Sequence, residues 1–274
     1  MADRGAKTIL VTGATQGLGH ALAMDLAADG HTLLLHGRDP RRLADVADQA
    51  RDAGAQVRGY VADLGDLGQV QEMADRIRES EPRLDVLVNN AGIGRGEKGS
   101  GRETSAQGHE LRFAVNLLAP CVLTRELLPL LVESASARVV NVASSGQWEI
   151  DFDDVMLESG YDGSRAYRQS KLAMIMWTFD LADALRDFGV TANAVHPATR
   201  MDTQMVRTGG NEPQERLEDG VAATRRLVDD PELAGASGVY FERKQEGTAD
   251  PQAYDPGARA RLKALVGALC PPPD

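Results

Sequence analysis

Short apolar runs alternate with longer stretches of helical periodicity along most of the chain, and this alternation limits the fold more than any other feature. The runs are Thr8–Thr12, Thr32–His36, Gln56–Val61, Val86–Asn89, Arg138–Ala143 and Thr191–His196. Between them, Gly17–Ala28, Pro40–Ala53, Leu67–Glu79, Ser105–Glu133 and Ser164–Asp187 read as helices. Apolar runs separated by helices predict a parallel sheet with both faces covered, an α/β arrangement. Further on, Gln204–Asp230 reads as interrupted helix, Gly238–Phe241 as a last strand, Arg259–Leu269 as a last helix and Pro271–Asp274 as a frayed tail. Gly92–Gly108, Gly209–Glu215 and Glu242–Asp255 read as loops, the first of them mobile.

With 274 residues and 42% hydrophobic composition, the chain can bury one sizeable core. No repeat or interdomain linker interrupts it. Residues 1–274 are therefore read as a single domain, with a cofactor half over about 7–145 and a catalytic and substrate-loop half over about 146–270. The doubly wound dinucleotide fold is the natural candidate.

The turn after the first strand strengthens that reading. Gly13, Gly17 and Gly19, with Thr15, Gln16 and Leu18 between them, stand between a strand and a helix. Glycines let the backbone turn sharply and approach a pyrophosphate, and the helix N-terminus offers free N–H groups and a positive dipole end. A tight turn without a ligand is the alternative. Where an acid at the end of the second strand would bond a ribose 2′-OH, this chain has Gly37 followed by Arg38. Arginine suits a 2′-phosphate through its fork of donors, so NADP(H) is favoured over NAD(H). A solvated Arg38 paired with Asp39 would weaken that preference.

Tyr167 and Lys171 carry the chemistry. Helical spacing sets them on one face. A free phenol with a pKa of about 10 is a poor proton shuttle at neutral pH, and a nearby cation is expected to pull it down. This makes a general acid/base from tyrosine. Ser144 ends the apolar run beginning at Arg138 and is the third member. Tyr161 is a rival, but Arg165 rather than lysine lies four residues on. His196 reads as a packed strand-end residue rather than a base.

A net charge of −11 argues against nucleic acid and anionic membrane surfaces as partners. Cys121 and Cys270 have no metal-ligand spacing, so no metal is expected, and a reducing cytoplasmic home is the simplest reading. A strand pattern starting by Lys7 leaves no signal peptide, and no apolar run is long enough to cross a bilayer.

From about Lys7 to Thr203 the sequence resembles the short-chain dehydrogenase/reductase family. The turn Thr12–Gly19 is similar to the family's cofactor turn, Asp63-Leu64 to its adenine-contacting pair, and Asn89-Asn90-Ala91-Gly92 to its signature after strand four. Asn116 resembles the asparagine of its long central helix, and Ser144, Tyr167 and Lys171 its catalytic set. The resemblance implies that Tyr167 exchanges a proton with the substrate oxygen, Ser144 stabilises that oxygen, Lys171 tunes Tyr167 and binds the nicotinamide ribose, and Asn116 holds a proton-relay water. Asn116 also reads as a core residue bonding the helix backbone. Asn90, Ala91, Gly92, Pro197, Thr199 and Thr203 are implied cofactor neighbours. One departure stands out: the family's Pro-Gly is Pro197-Ala198 here, a stiffer turn.

The long stretch between Ser144 and Tyr167 resembles the retinol dehydrogenase-like and WW-domain-oxidoreductase-like branch. That branch often has an N-terminal membrane anchor; none is expected here, so retinoid activity is not carried over. Gln147, Trp148, Met201 and Met205 are candidates to touch substrate. The acids Glu149, Asp151, Asp153 and Asp154 read as solvating the insertion. The apolar faces of the two central helices either pair across a two-fold axis, giving a homodimer or homotetramer, or are used up by the sheet. The expected function is interconversion of a ketone or aldehyde and an alcohol with NADP(H). A nucleotide-binding sensor or scaffold, or a non-redox cyclase or dehydratase on the same fold, is the alternative.

Overall fold

The computed structural model describes residues 5–134 and 136–271. The tail read at Pro271–Asp274 therefore lies outside the described residues apart from Pro271. The six apolar runs form strands β1 (Thr8–Val11), β2 (Thr32–Gly37), β3 (Gln56–Val61), β4 (Val86–Asn89), β5 (Arg138–Val142) and β6 (Thr191–His196). A short β7 (Tyr240–Glu242) and β8 (Gln245–Glu246) complete the sheet. The order is β3-β2-β1-β4-β5-β6-β7-β8, parallel throughout except for the β7–β8 hairpin. The order reverses beside β1, whose neighbours are β2 and β4, and this opens a crevice at the carboxyl ends of β1 and β4.

The helices are α1 (Gly17–Ala27), α2 (Pro40–Asp52), α3 (Leu67–Ser80), α4 (Leu111–Val132), α5 (Gly163–Leu185), α6 (Gln204–Thr208), α7 (Leu217–Asp229) and α8 (Pro256–Leu269). Aspartates set several of their starts. Asp39, Asp66, Asp162 and Asp255 each accept a backbone N–H of the first turn, and Pro40 and Pro256 open α2 and α8. Alternate strand residues feed two cores. Ile9, Val11, Leu33, Leu35, Val86 and Val88 pack with Leu22 and Leu26 of α1, Leu43 of α2 and Leu227 of α7. Leu10, Leu34, Leu87 and Val139 pack with Met73 of α3, Phe113 and Leu127 of α4, and Ile175 of α5. Each such buried side chain contributes about 1.5–3 kcal/mol relative to exposure.

Two expectations are corrected here. The helix expected from Ser105 begins at Leu111: Gly108 takes φ +83, outside the helical region, and the Glu110 carboxylate caps the true start by accepting from Phe113 N–H at 2.8 Å. That helix is also long and apolar enough to cross a membrane, with mean hydropathy 1.6 over an 18-residue window, although no such run was expected. Since 72% of that window is buried, it serves as a core helix. Little of its apolar surface, or of that of α5, is left over from the sheet: Leu128, Trp177 and Leu181 are only half-buried, and Val132 is exposed.

Candidate active site

The glycine turn is crowded in the way close backbone approach requires. A Cβ on Gly13 would lie 2.9 Å from Ala91 Cα, and one on Gly19 would collide with Gly13 O and Asn90 Nδ2. Gly13 and Gly17 take φ +66 and +56, a region that glycine occupies without strain. Thr12 and Asn90 tie the turn to β4. Thr12 Oγ1 accepts from Asn90 N–H and Ala91 N–H, both at 3.0 Å, and Asn90 Nδ2 donates to Thr12 O at 2.7 Å. Gln16 is exposed at the mouth of the turn, Leu18 is buried behind it, and Thr203 stands beside Gly17.

One further anchor was missed in the sequence. His36 Nδ1 accepts from Gly13 N–H at 3.1 Å, and Nε2 donates to Ala62 O at 3.1 Å. The two backbone partners fix one neutral tautomer, and burial pushes the imidazole pKa down. The available signal was a lone polar ring at the end of an otherwise aliphatic strand.

At the carboxyl end of β2, a Cβ on Gly37 would meet Thr15 Cγ2, so Thr15 would have to turn aside for any side chain there. Arg38 is exposed and has no carboxylate partner among the described residues. Asp39 caps α2 by accepting from Arg41 N–H at 2.9 Å, so the Arg38–Asp39 pair considered from sequence does not form. Asp63 Oδ1 accepts from Gly65 N–H at 2.9 Å, and Leu64 is buried beside it.

At the carboxyl end of β5, the Ser144 side chain lies near the Tyr167 phenol, and Ser144 Oγ accepts from Gly146 N–H at 3.0 Å. Lys171 Nζ lies 6.0 Å from the Tyr167 ring centroid and donates to Val142 O at 2.7 Å. The expected acidified phenol is not found in this state. Burial pushes the Tyr167 pKa up, and the Ser144 side chain works against it. Burial also pushes Lys171 down to about 8. Both shifts have one physical cause, a site that disfavours charge.

Asn116 lies in a π-helical stretch, Ala114–Leu118, within α4. Its Oδ1 accepts from Ile93 N–H at 2.8 Å, and Nδ2 donates to Ile93 O at 3.1 Å and Ser170 Oγ at 2.9 Å. The structural bond considered from sequence is present. A Cβ on Gly92 would meet both Asn116 Oδ1, at 3.1 Å, and Lys171 Nζ, at 3.5 Å. The bare glycine leaves a small gap between them.

Pro197 and Ala198 follow β6, and Ala198 is buried without a positive φ, so the turn does not need the glycine it lacks. Thr199 N–H donates to Glu215, which pairs with Arg243, and Arg243 also donates to Thr199 Oγ1 at 3.1 Å. His196 Nε2 is 3.2 Å from both Thr199 Oγ1 and Ser145 Oγ, and burial lowers its pKa to about 4, so it stays neutral.

The substrate candidates divide. Gln147 spends its amide on the backbone: Nε2 donates to Ser144 O at 3.1 Å, and Oε1 accepts from Asp250 N–H at 2.6 Å. It braces the loop rather than offering a free group. Met201 packs over Gly220 beside Leu18, away from Ser144. Trp148 and Met205 are exposed, and Met205 lies against Gly94. An open cavity of about 590 Å³ lined by Glu215, Asp219 and the β7–β8 hairpin contains none of the catalytic candidates. At the amino edge of β2, Asp29, His31 and Asp229 gather, with Arg225 paired to both acids.

The family profile described as short chain dehydrogenase matches residues 7–214. The chain belongs to the short-chain dehydrogenase family. It is an NAD(P)-dependent oxidoreductase acting on CH–OH and C=O groups, within the retinol dehydrogenase-like part of the family. Human retinol dehydrogenase 13 is 33% identical over 289 residues, covering 97% of this chain and 86% of that protein. An uncharacterised protein from Mycobacterium paratuberculosis superposes with a TM-score of 0.78 at 29% identity, covering 96% of this chain and 93% of the other. The Pseudomonas aeruginosa RhlG/NADP active-site complex superposes with a TM-score of 0.71 at 27% identity, over 87% of this chain and 95% of RhlG.

Proposed function

We propose that the protein interconverts a ketone or aldehyde with an alcohol using NADP(H), with Tyr167 exchanging the proton at oxygen. One observation carries the proposal: the Ser144 side chain lies close enough to the Tyr167 phenol to lower its pKa, and Lys171 Nζ lies 6.0 Å from the same ring. The residues of the crevice fit the dinucleotide. Gly13, Gly17 and Gly19 leave backbone open to a pyrophosphate, Gly37 places no acid at the end of β2, and Arg38 is free for a 2′-phosphate. Asn90, Ala91, Gly92, Pro197, Thr199 and Thr203 would line the nicotinamide end. When bound, the cofactor supplies or accepts the hydride.

The protein's own groups manage the oxygen. Burial keeps Tyr167 protonated, so it enters carbonyl reduction as the acid. Ser144 donates to the same oxygen and stabilises its developing negative charge. Lys171, with a pKa of about 8, is mostly an ammonium at neutral pH and favours the phenolate left after proton transfer. The acidification expected from the sequence is thus assigned to the step itself rather than to the resting site.

Loss of NADPH absorbance over a panel of ketones and aldehydes tests the activity. Tyr167→Phe should keep NADPH affinity and lower turnover by about 10²–10⁴-fold, the range general acid catalysis supplies. Unchanged turnover would remove Tyr167 from this role.

A further inference from the structure

We propose that Arg168, lying over the indole of Trp148, binds an anionic group next to the reacting carbonyl, so that keto carboxylates are preferred over neutral carbonyl compounds. This rests on reading Ser144 and Tyr167 as the groups that hold the carbonyl oxygen. Arg168 follows Tyr167 on α5 and is exposed. Its guanidinium lies over the indole of Trp148, 5.8 Å from the ring centroid, and Trp148 is itself 49% exposed. The Ser144 hydroxyl and the Arg168 Nε flank one small space. A Cβ on Gly146 would lie 3.4 Å from the first and 4.0 Å from the second. Gly146 itself puts no side chain between them.

The charge around this guanidinium is unusual for the chain. The protein has an excess of eleven negative charges, and three other arginines nearby are engaged. Arg165 pairs with Asp151 at 3.0 Å, Arg207 with Asp202 at 2.6 Å, and Arg95 donates to Gly209 O. Arg168 has neither an acid nor a carbonyl partner among the described residues, and its recorded contact is the indole face. A guanidinium over an aromatic face is attracted to it while its donors stay free. A carboxylate receives two of those donors at once, in a geometry a neutral ester matches poorly. A substrate with a carboxylate a few bonds from its carbonyl reaches Ser144 with one end and Arg168 with the other. The reaction is then keto acid, NADPH and a proton giving hydroxy acid and NADP⁺, with hydride added at the carbonyl carbon and the Tyr167 proton at its oxygen.

The test compares a short keto carboxylate with its methyl ester. The wild-type enzyme should favour the acid, and Arg168→Gln should raise KM for the acid by about 10–100-fold, the worth of one charge-assisted pair, while kcat and the ester change little. Arg168→Lys should recover part of the loss. Equal use of acid and ester by the wild type, or an equal effect of Arg168→Gln on both, overturns the proposal. If neutral ketones are reduced and keto acids are not, the Arg168 assignment fails and the oxidoreductase reading stands. If nothing is reduced, binding still decides about Arg168. The keto acid should quench the fluorescence of exposed Trp148 in the NADPH complex, and this quench should vanish in Arg168→Gln and in Trp148→Phe; a quench that persists in Arg168→Gln overturns the assignment.

Discussion

The two ends of the crevice are built on different principles. The cofactor end is defined by atoms that are missing. Side chains at Gly13, Gly19 or Gly37 would enter space already taken by Ala91, Gly13 O or Thr15. Thr12, Asn90 and His36 then fasten the bare backbone to neighbouring strands. The substrate end is defined by polar side chains that reach across the chain. Gln147 meets Asp250, Gln252 meets Ile150 and Glu215 meets Arg243. Exclusion by backbone geometry tolerates almost no substitution, whereas a polar brace can be replaced by another brace. The first end should therefore fail abruptly on mutation, and the second should weaken by degrees.

Gly19→Ala gives the sharpest test of that contrast. The added methyl meets both Gly13 O and Asn90 Nδ2, so the turn must shift. Overpacking of this kind costs about 1–3 kcal/mol of stability. Because the turn itself is displaced, NADPH affinity should fall more than a hundredfold, by a rough estimate of one lost pyrophosphate cradle. Isothermal titration reads the affinity, and a variant that binds like wild type would show that the turn has slack the structure does not suggest.

Arg38→Asp acts at the same end without touching the backbone. It should weaken NADP(H) by about 10–100-fold and spare NAD(H), since a charge-assisted pair is replaced by repulsion. Unequal loss for the two cofactors locates the 2′-phosphate at Arg38. Equal affinity for NADP(H) in the variant would reject Arg38 as its ligand.

The same contrast explains what the sequence made legible. A Cβ-free turn can only be written with glycines, so Gly13, Gly17 and Gly19 announce it, and the strand runs announce the sheet. Ser144, Tyr167 and Lys171 were likewise readable, because a strand end and a helix spacing bring them together. The braces were not. Gln147 and Asp250 are 103 residues apart, and nothing local distinguishes a bracing glutamine from one that faces substrate. His36 was overlooked because its partners are backbone atoms, which leave no trace in composition. The direction of the Tyr167 shift was misread for a related reason. Helical spacing shows that an amine is near, but not that burial governs the phenol.

At the substrate end, Gln147→Ala removes two hydrogen bonds to the backbone, at Ser144 O and Asp250 N–H. The expected cost is about 1–3 kcal/mol, the penalty for leaving partly buried groups unpaired. NADPH affinity should stay within about twofold, since no cofactor-end contact changes. Urea melts and NADPH titration of the one variant measure both. A large loss of NADPH affinity would mean that the two ends are coupled and the contrast between them false.

Lys171, where the ends meet, gives the gentlest effect. Burial lowers its pKa from 10.5 to about 8. Below pH 8 the amine is protonated in both folded and unfolded chains, and the fold carries the burden of a buried cation. Between about 8 and 10.5 the unfolded chain binds more protons than the folded one, so this group's contribution to stability grows as pH rises and is lost again as pH falls through 8. Lys171→Met removes that dependence. The stability of wild type minus that of the variant should therefore increase from about pH 8 to 9.5, by at most about 1.4 kcal/mol per pH unit. Urea melts of both proteins across this range measure the slope. A difference that stays flat would mean the ammonium is better solvated than its burial indicates, and it would weaken the case that a site hostile to charge keeps Tyr167 protonated until the carbonyl arrives.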